Sequence, residues 1–239
     1  MELTELKNKI IQSYKGSKKE LDEILKLVEN DVSIFPFNEY EHLICILLSK
    51  NKISYKKYLD IRTEYINNNP NLWLFEISAP RGFGERFAQT YIRGLCPDIQ
   101  IPNKKLDPKY KGDYDLWLNG IRIEVKASRA VDRDNNEDPL YMKALSRNTT
   151  KRFVMNFQQL KPQFCYVFIW IAVFRDQIVT WVMSSKDVLN NKYYSKGQHR
   201  GNKGNEGQLH ITNENISEFR KYELRGNIKK FIINASKRN

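Results

Sequence analysis

The residue pair Asn119-Gly120 constrains the fold more than any other short stretch, because it lies between two segments in which apolar and polar residues alternate. Both central residues of a two-residue hairpin loop take positive φ, which asparagine and glycine tolerate best. The pair therefore predicts a β-hairpin of defined register. Leu118 lies opposite Ile121, and the pairing continues outwards from the turn, with Trp117 opposite Arg122 and Leu116 opposite Ile123.

This register divides the hairpin into an apolar face and a polar face, since strand side chains alternate between the two sides of a sheet. The apolar face carries Leu116, Leu118, Ile121, Ile123 and Val125. The polar face carries Asp113, Asp115, Trp117, Arg122, Glu124, Lys126 and Ser128. Counting outwards from the turn places Asp115 directly opposite Glu124 and Asp113 opposite Lys126. Asp113 is then diagonal to Glu124.

Two carboxylates that face each other repel, and a cation between them offsets that repulsion. Mg²⁺ prefers carboxylate, water and phosphate oxygens. A lysine beside the ion can orient or help deprotonate the attacking water and stabilise charge in the transition state. We therefore expect phosphodiester hydrolysis, with Asp115 and Glu124 as metal ligands and Lys126 as a catalytic residue. Asp113 is the alternative first ligand, or a supporting residue that pairs with Lys126.

The charge of the chain favours nucleic acid as its partner. Lysine and arginine number 40 against 28 acidic residues, which gives a net charge of +12. A strong positive balance attracts polyanions, and nucleic acid is the first candidate. The sequence has no apolar run long enough for a bilayer span, and its first residues lack an apolar signal segment. We therefore expect a soluble cytoplasmic protein with no membrane partner.

At these residues the chain resembles a known enzyme superfamily. Asp115, eight further residues and then Glu124-Val125-Lys126 resemble the PD-(D/E)xK nuclease signature, although no proline precedes either aspartate. The wording EVKASR, together with QQLKP at 158–162 ahead of an apolar run, is similar to type II restriction endonucleases in particular. The resemblance covers residues 84–183.

The resemblance implies a central mixed β-sheet flanked by helices and Mg²⁺-dependent, site-specific cleavage of double-stranded DNA that leaves 5′-phosphates. It also implies a homodimer and a cognate DNA methyltransferase as functional partner. Glu85 matches the place where many such nucleases carry an additional catalytic acid. A helix N-terminal acid favoured by the macrodipole is the alternative reading of Glu85.

Other functions fit the same residues. A repair or junction-resolving nuclease of the same superfamily is the nearest alternative. A DNA-binding protein without catalysis belongs to another class, although the intact acids and lysine argue against it. The acids and lysine of the hairpin could also form a solvated ladder of salt bridges.

Two basic stretches are candidate DNA contacts. The first contains Lys143, Arg147, Lys151 and Arg152, for which a solvated helix face is the alternative. The second is a glycine-rich basic loop at 192–207 that contains His199, Arg200 and Lys203. We expect this loop to be mobile and to follow the DNA.

Hydrophobic periodicity predicts an α/β (α+β) fold with a helical N-terminal region at 1–75 and a nuclease core at 76–239. Helices are expected after the capping box that begins at Ser17, from about Asn38, and over 54–66. The apolar run 164–174 predicts a strand buried on both faces, with 178–183 paired back against it. A short strand at 208–212, a C-terminal helix over about 213–224 and a basic tail complete the prediction.

Overall fold

The computed structural model describes residues 8–9, 11–28, 47–48, 50–72, 91–138, 140, 142–197 and 206–239. The chain divides into two compact units. The first comprises Met1–Glu76, Asn135–Thr149 and Phe174–Gln177, and the second comprises Ile77–Asp134, Thr150–Val173 and Ile178–Asn239. Helices and strands are both present, as the α+β prediction requires. The helical region predicted at 1–75 falls within the first unit, to which two later segments also belong.

Two helices of the first unit begin where the sequence predicts. Helix α1 spans Lys18–Val28, and the Ser17 hydroxyl accepts a hydrogen bond from the Glu20 amide at 3.2 Å. Helix α2 spans Tyr55–Asn68, and Ser54 caps it in the same way through the Lys57 amide at 3.2 Å. These caps satisfy amides that have no partner within the helix. The helix predicted from Asn38 lies mostly outside the described residues.

The second unit contains the strands and several short helices. The strands are β1 (Leu116–Leu118), β2 (Ile121–Arg129), β3 (Val131–Asp132), β4 (Phe153–Leu160), β5 (Val167–Val173), β6 (Ile178–Ser184), β7 (Tyr194–Lys196) and β8 (Gly207–Thr212). The helices are α3 (Arg93–Leu95), α4 (Ser185–Leu189), α5 (Ile216–Phe219) and α6 (Ile228–Ser236), with a 3₁₀ helix at Arg220–Tyr222.

The first sheet is mixed and has the strand order β1-β2-β5-β6. β2 is antiparallel to β1 and parallel to β5, and β5 is antiparallel to β6. Every residue of β5 is buried, which confirms the prediction of a strand covered on both faces. The predicted return of the following segment against it is also confirmed. β2 therefore lies inside the sheet, with a hydrogen-bonded neighbour on each side.

The hairpin has the predicted turn and the predicted register as far as Leu116. Asn119 and Gly120 have φ of 47° and 90°, and the three pairs of the ladder are the predicted ones. Beyond Leu116 the register differs, because the Asp115 amide donates to the Ile123 carbonyl at 3.0 Å.

The predicted ladder pairs Asp115–Glu124 and Asp113–Lys126 are therefore wrong. In a continued ladder the Val125 amide would donate to the carbonyl of residue 114, which would lie opposite it. That amide instead donates to the Asp115 carboxylate, and a side chain thus replaces the backbone acceptor.

The second sheet was not predicted. It is antiparallel throughout and has the order β3-β4-β8-β7. β8 confirms the predicted short strand, and β7 lies inside the segment 192–207 that was expected to be a loop. The helical alternative for the basic stretch at 143–152 is wrong, since the described residues 142–152 contain no helix. The helix expected over 213–224 is limited to α5 and the 3₁₀ helix, and α6 occupies the expected basic tail.

The two faces of the first sheet are covered differently. Phe157 of β4 packs edge-on against Trp170 of β5, with ring centroids 4.9 Å apart. Trp170 is the ladder partner of Lys126, so the second sheet covers the face of β2 that carries Lys126. Helix α6 packs against β5 and β6 and buries Ile228 and Ile232. Within the described ranges, no helix has the length and apolar character needed to cross a membrane.

Candidate active site

The candidate site is built on the middle of β2, where Glu124 and Lys126 project from the same face. Their ladder partners in β5 are Phe168 and Trp170, both fully buried. The ammonium nitrogen of Lys126 lies 2.5 Å from Oε1 of Glu124, and both side chains are largely buried. At these residues β2 pairs with β5 on one side, and the Val125 amide donates to the Asp115 carboxylate on the other.

Asp115 is tied to the same stretch of β2 by a hydrogen bond. Its Oδ2 accepts from the backbone amide of Val125 at 2.8 Å, and Val125 is the residue between Glu124 and Lys126. The structure thus brings together the three residues of the predicted catalytic group. It does so through this side-chain contact, whereas the sequence predicted a regular ladder pair.

The environment of Glu124 favours its neutral form. Burial raises the pKa of Glu124 to about 7, and the negative charge of Asp115 adds to this effect. Lys126 and Lys161 act in the opposite direction but do not restore the usual pKa of 4.5. A nearby divalent cation stabilises the ionised form of such a carboxyl group and thereby lowers its pKa.

Asp113 belongs to the same acidic neighbourhood. Burial raises the pKa of Tyr110, and the charges of Asp115, Asp113 and Glu124 raise it further, so all three acids act on this phenol. Tyr110 packs edge-on against Tyr114, with ring centroids 5.0 Å apart.

Arg122 of the predicted polar face has a structural partner nearby. Its guanidinium lies 2.9 Å from Oδ2 of the buried Asp107, which also accepts a hydrogen bond from the Tyr114 hydroxyl at 3.0 Å. These contacts support the loop that leads into the hairpin.

Lys161 is a member of the site that sequence reasoning did not assign. It follows β4, its charge acts on Glu124, and its ammonium lies 3.1 Å from Glu206. The stretch QQLKP contains it, but its approach to Glu124 depends on the packing of the second sheet. An electrostatic interaction between residues so distant in sequence leaves no local pattern.

Cys165 also lies near Glu124 and Asp115, but its thiol is unreactive. Its sulfur is 3.5 Å from the Ser185 hydroxyl, which donates to the Cys165 carbonyl at 2.6 Å. Burial raises the pKa of the Cys165 thiol to about 12. The thiol therefore stays protonated at neutral pH and is a poor nucleophile.

The donor set of the site fits Mg²⁺. Asp115 and Glu124 supply carboxylate oxygens, which Mg²⁺ prefers, and the ion commonly retains waters and takes substrate phosphate oxygens as further ligands. Among the described residues, no group of three or more histidine, cysteine, aspartate or glutamate side chains could hold a metal. Two carboxylates with water and substrate oxygens are thus the arrangement that this part of the chain can offer. Glu85 lies outside the described residues.

The first predicted group of DNA contacts is divided between the two units. Lys143 and Arg147 belong to the first unit, where the Arg147 amide donates to Asp176 at 3.0 Å. Lys151 and Arg152 belong to the second unit and form ion pairs with Asp132 at 3.0 Å and Asp134 at 3.2 Å respectively. The three candidates of the basic loop, His199, Arg200 and Lys203, lie outside the described residues.

The likeness of the hairpin to the PD-(D/E)xK signature rests on its residue pattern. Comparison with protein-family models, with curated proteins and with solved structures gives no match for this chain.

Proposed function

We propose that the chain is a Mg²⁺-dependent endonuclease that cleaves double-stranded DNA at specific sites, in the manner of a type II restriction endonuclease. The observation that carries the proposal is the grouping of Asp115, Glu124 and Lys126 around the backbone of Val125. The mixed order of the first sheet is compatible with a restriction-endonuclease-like fold. The net charge of +12 favours a polyanionic substrate.

Each residue of the group has a distinct role in this proposal. Asp115 and Glu124 would hold Mg²⁺, which would supply positive charge to the phosphate and to the attacking water. A bound cation would favour the ionised carboxylate of Glu124, whose pKa burial raises to about 7. Lys126 holds the water in line and stabilises the charge that develops on the phosphate oxygens. The negative charge of Asp113, which also acts on Tyr110, adds to the attraction of this region for a cation.

The proposal also covers the products of cleavage, the oligomeric state, the contacts to DNA and the partner enzyme. Cleavage leaves 5′-phosphate ends, and two copies of the chain acting as a homodimer cut the two strands of a symmetric site. Lys143, Arg147, Lys151, Arg152, His199, Arg200 and Lys203 are the candidate contacts to DNA. In a cytoplasmic restriction system, a DNA methyltransferase modifies the same sites and thereby protects the host.

Digestion of a plasmid of known sequence tests this function. The full chain is incubated with supercoiled plasmid in Mg²⁺, in Ca²⁺ and in chelator, and the ends of the products are mapped. We expect discrete fragments with 5′-phosphates in Mg²⁺ and none in chelator. Ca²⁺ is expected to permit binding without cleavage, because its looser coordination positions the water poorly.

The control for contaminating nucleases is the Glu124→Gln variant, purified in the same way, which should leave the plasmid intact. Equal cleavage by this variant, or cleavage in chelator, would contradict the proposed metal site. Cleavage of branched DNA with the plasmid left intact would indicate a junction-resolving nuclease.

A further inference from the structure

A basic groove of about 700 Å³ runs along one side of α6 in the second unit. Its lining includes Lys221, Tyr222, Arg225, Lys230, Phe231 and Arg238. Asn234 follows Lys230 by four residues and Phe231 by three, so these three residues lie along one side of the helix. Arg238 follows the end of the helix. The 3₁₀ helix and the segment after it form the opposite wall.

The groove is separate from the candidate active site. Val182 of β6 lines it, and Val182 pairs with Ile169 of β5, which in turn pairs with Val125 of β2. Residues paired across neighbouring strands share a face of the sheet, whereas adjacent residues of one strand point to opposite faces. The groove therefore lies on the Val125 face, and Glu124 and Lys126 project from the other face.

The cations that line the groove differ in whether they form ion pairs. Arg238 forms an ion pair with Asp187, with 2.8 Å between its guanidinium and the carboxylate. Within the part of the chain that the structure describes, Lys221, Arg225 and Lys230 form no ion pair, and all three are exposed. Lys221 lies 4.9 Å from the centre of the Tyr222 ring in a cation–π contact, and its charge also acts on the Glu218 carboxylate. Among the described residues, these three cations of the lining thus have no ion-pair partner.

The lining also contains an aromatic ring and a carboxamide, which a simple anion such as phosphate would not need. Phe231 is half-buried and presents part of its ring to the groove beside the apolar Val182. Asn234 is exposed on the same side of α6, and its carboxamide has both hydrogen-bond donors and an acceptor. An aromatic surface, an amide and several cations are together suited to a base that carries a phosphate.

We propose that this groove binds a nucleoside phosphate. The phosphate lies among Lys221, Arg225 and Lys230, and the base packs against Phe231 with its polar edge towards Asn234. The volume is within the range of small-molecule sites. A free nucleotide and the 5′-terminal nucleotide of a DNA strand carry the same chemistry. The inference does not depend on the proposed nuclease activity, because the groove uses other residues on another face of the sheet.

Titration calorimetry of the full chain with dTMP, thymidine and inorganic phosphate tests this proposal. The measurements are made in chelator, so that cleavage has no part in them. We expect dTMP to bind more tightly than either thymidine or phosphate, because only dTMP uses both the cations and the ring. Binding of phosphate as tight as that of dTMP would overturn the nucleotide assignment.

Lys230→Ala and Lys229→Ala form a matched pair of variants. Both remove one lysine from the first turn of α6, but Lys229 is not part of the lining and forms an ion pair with Asp98. Loss of a charge-assisted contact should raise the Kd for dTMP about tenfold in Lys230→Ala, and less than about twofold in Lys229→Ala. Arg225→Ala, in the opposite wall, should behave as Lys230→Ala does. Equal effects of the two lysine variants would show attraction by net charge alone and overturn the site.

The dinucleotides pTpT and TpT distinguish the two sources of the ligand. If the site takes the terminal nucleotide of a strand, pTpT binds at least as tightly as dTMP, and TpT binds more weakly. If the site takes free nucleotides, the second residue of pTpT weakens binding relative to dTMP. Both results support a nucleoside phosphate as the ligand, whereas equal binding of pTpT and TpT would contradict the role of the 5′-phosphate.

Discussion

The carboxylate of Asp115 accepts a hydrogen bond from the backbone amide of Val125 at 2.8 Å. This bond ties the residue before β1 to the residue of β2 that separates Glu124 from Lys126. It replaces a hydrogen bond of the hairpin ladder and thereby ends β1 at Leu116. One aspartate therefore determines both where the ladder ends and where a second carboxylate lies beside Glu124.

This bond makes Asp115→Asn and Asp113→Asn an informative pair of variants. An asparagine at 115 retains an oxygen that can accept from Val125, so the hairpin is preserved while the charge is lost. We expect Asp115→Asn to eliminate measurable plasmid cleavage. Asp113→Asn should reduce cleavage by about tenfold, as is typical of residues that support a ligand, and higher Mg²⁺ should restore part of it.

Rates are compared over a series of Mg²⁺ concentrations, and thermal unfolding checks that both variants fold. Full activity of Asp115→Asn together with an inactive Asp113→Asn would show that Asp113 is the metal ligand.

Lys126→Ala should separate catalysis from DNA binding. The lysine contacts Glu124 and serves the reacting phosphate in the proposed mechanism, so its loss should lower the cleavage rate by about 10²–10⁴-fold. Specific binding should persist, because base recognition uses other side chains. Gel-shift titration in Ca²⁺ measures the binding, and single-turnover cleavage in Mg²⁺ measures the rate.

Lys104→Ala removes an exposed lysine from the loop before the hairpin and is the control for net charge. It should cleave as the unaltered chain does. A Lys126→Ala variant with normal cleavage would exclude the catalytic role.

The sequence was sufficient to predict the hairpin turn, since the pair Asn119-Gly120 suits positive φ at both positions. Local patterns also predicted the caps of α1 and α2 and the buried strand β5. The predicted register is wrong beyond Leu116 because a side-chain acceptor competes with the backbone for the Val125 amide. Counting outwards from a turn cannot reveal such competition.

The second sheet depends on contacts between distant residues, and this is why the sequence did not predict it. β4 lies between a charged segment and a polar one, and its main partner, β8, begins 47 residues after it ends. The approach of Lys161 to Glu124 follows from the same packing. Helix α6, in contrast, has a local signal in the sequence. Asn227 caps it through the Lys230 amide at 3.1 Å, and Ile228 and Ile232 are spaced by four residues.

Gly120→Ala should destabilise the protein because of backbone conformation alone. A Cβ at this position would meet no atom within 4 Å, but φ is 90°, which side chains of L-residues disfavour. We expect the free energy of unfolding to fall by about 1–2 kcal/mol in denaturant titrations.

Gly94→Ala is the matched control, since its Cβ also meets nothing within 4 Å and its φ is not in the positive region. Gly94 lies in the short helix α3, where alanine should raise stability by about 0.5–1 kcal/mol. Equal effects of the two substitutions would contradict the assigned turn.

The raised pKa of Glu124 predicts how stability depends on pH. Burial raises this pKa from 4.5 to about 7, so between these values the folded protein binds more protons than the unfolded chain. The stabilisation that Glu124 adds to the free energy of unfolding is therefore fully present below pH 4.5 and is lost as pH rises through about 7. The size of the shift sets an upper limit of about 3 kcal/mol on this loss.

Glu124→Gln cannot titrate, and its free energy of unfolding should therefore fall less between pH 5 and pH 8 than that of the unaltered chain. Glu214→Gln, which removes an exposed carboxylate before α5, should follow the unaltered chain. Mg²⁺ at pH 8 should raise the melting temperature of the unaltered chain and of Glu214→Gln, because the ion binds the folded state. It should have little effect on Glu124→Gln, which lacks one ligand. An equal rise in all three proteins would place the stabilising Mg²⁺ at a site that does not involve Glu124.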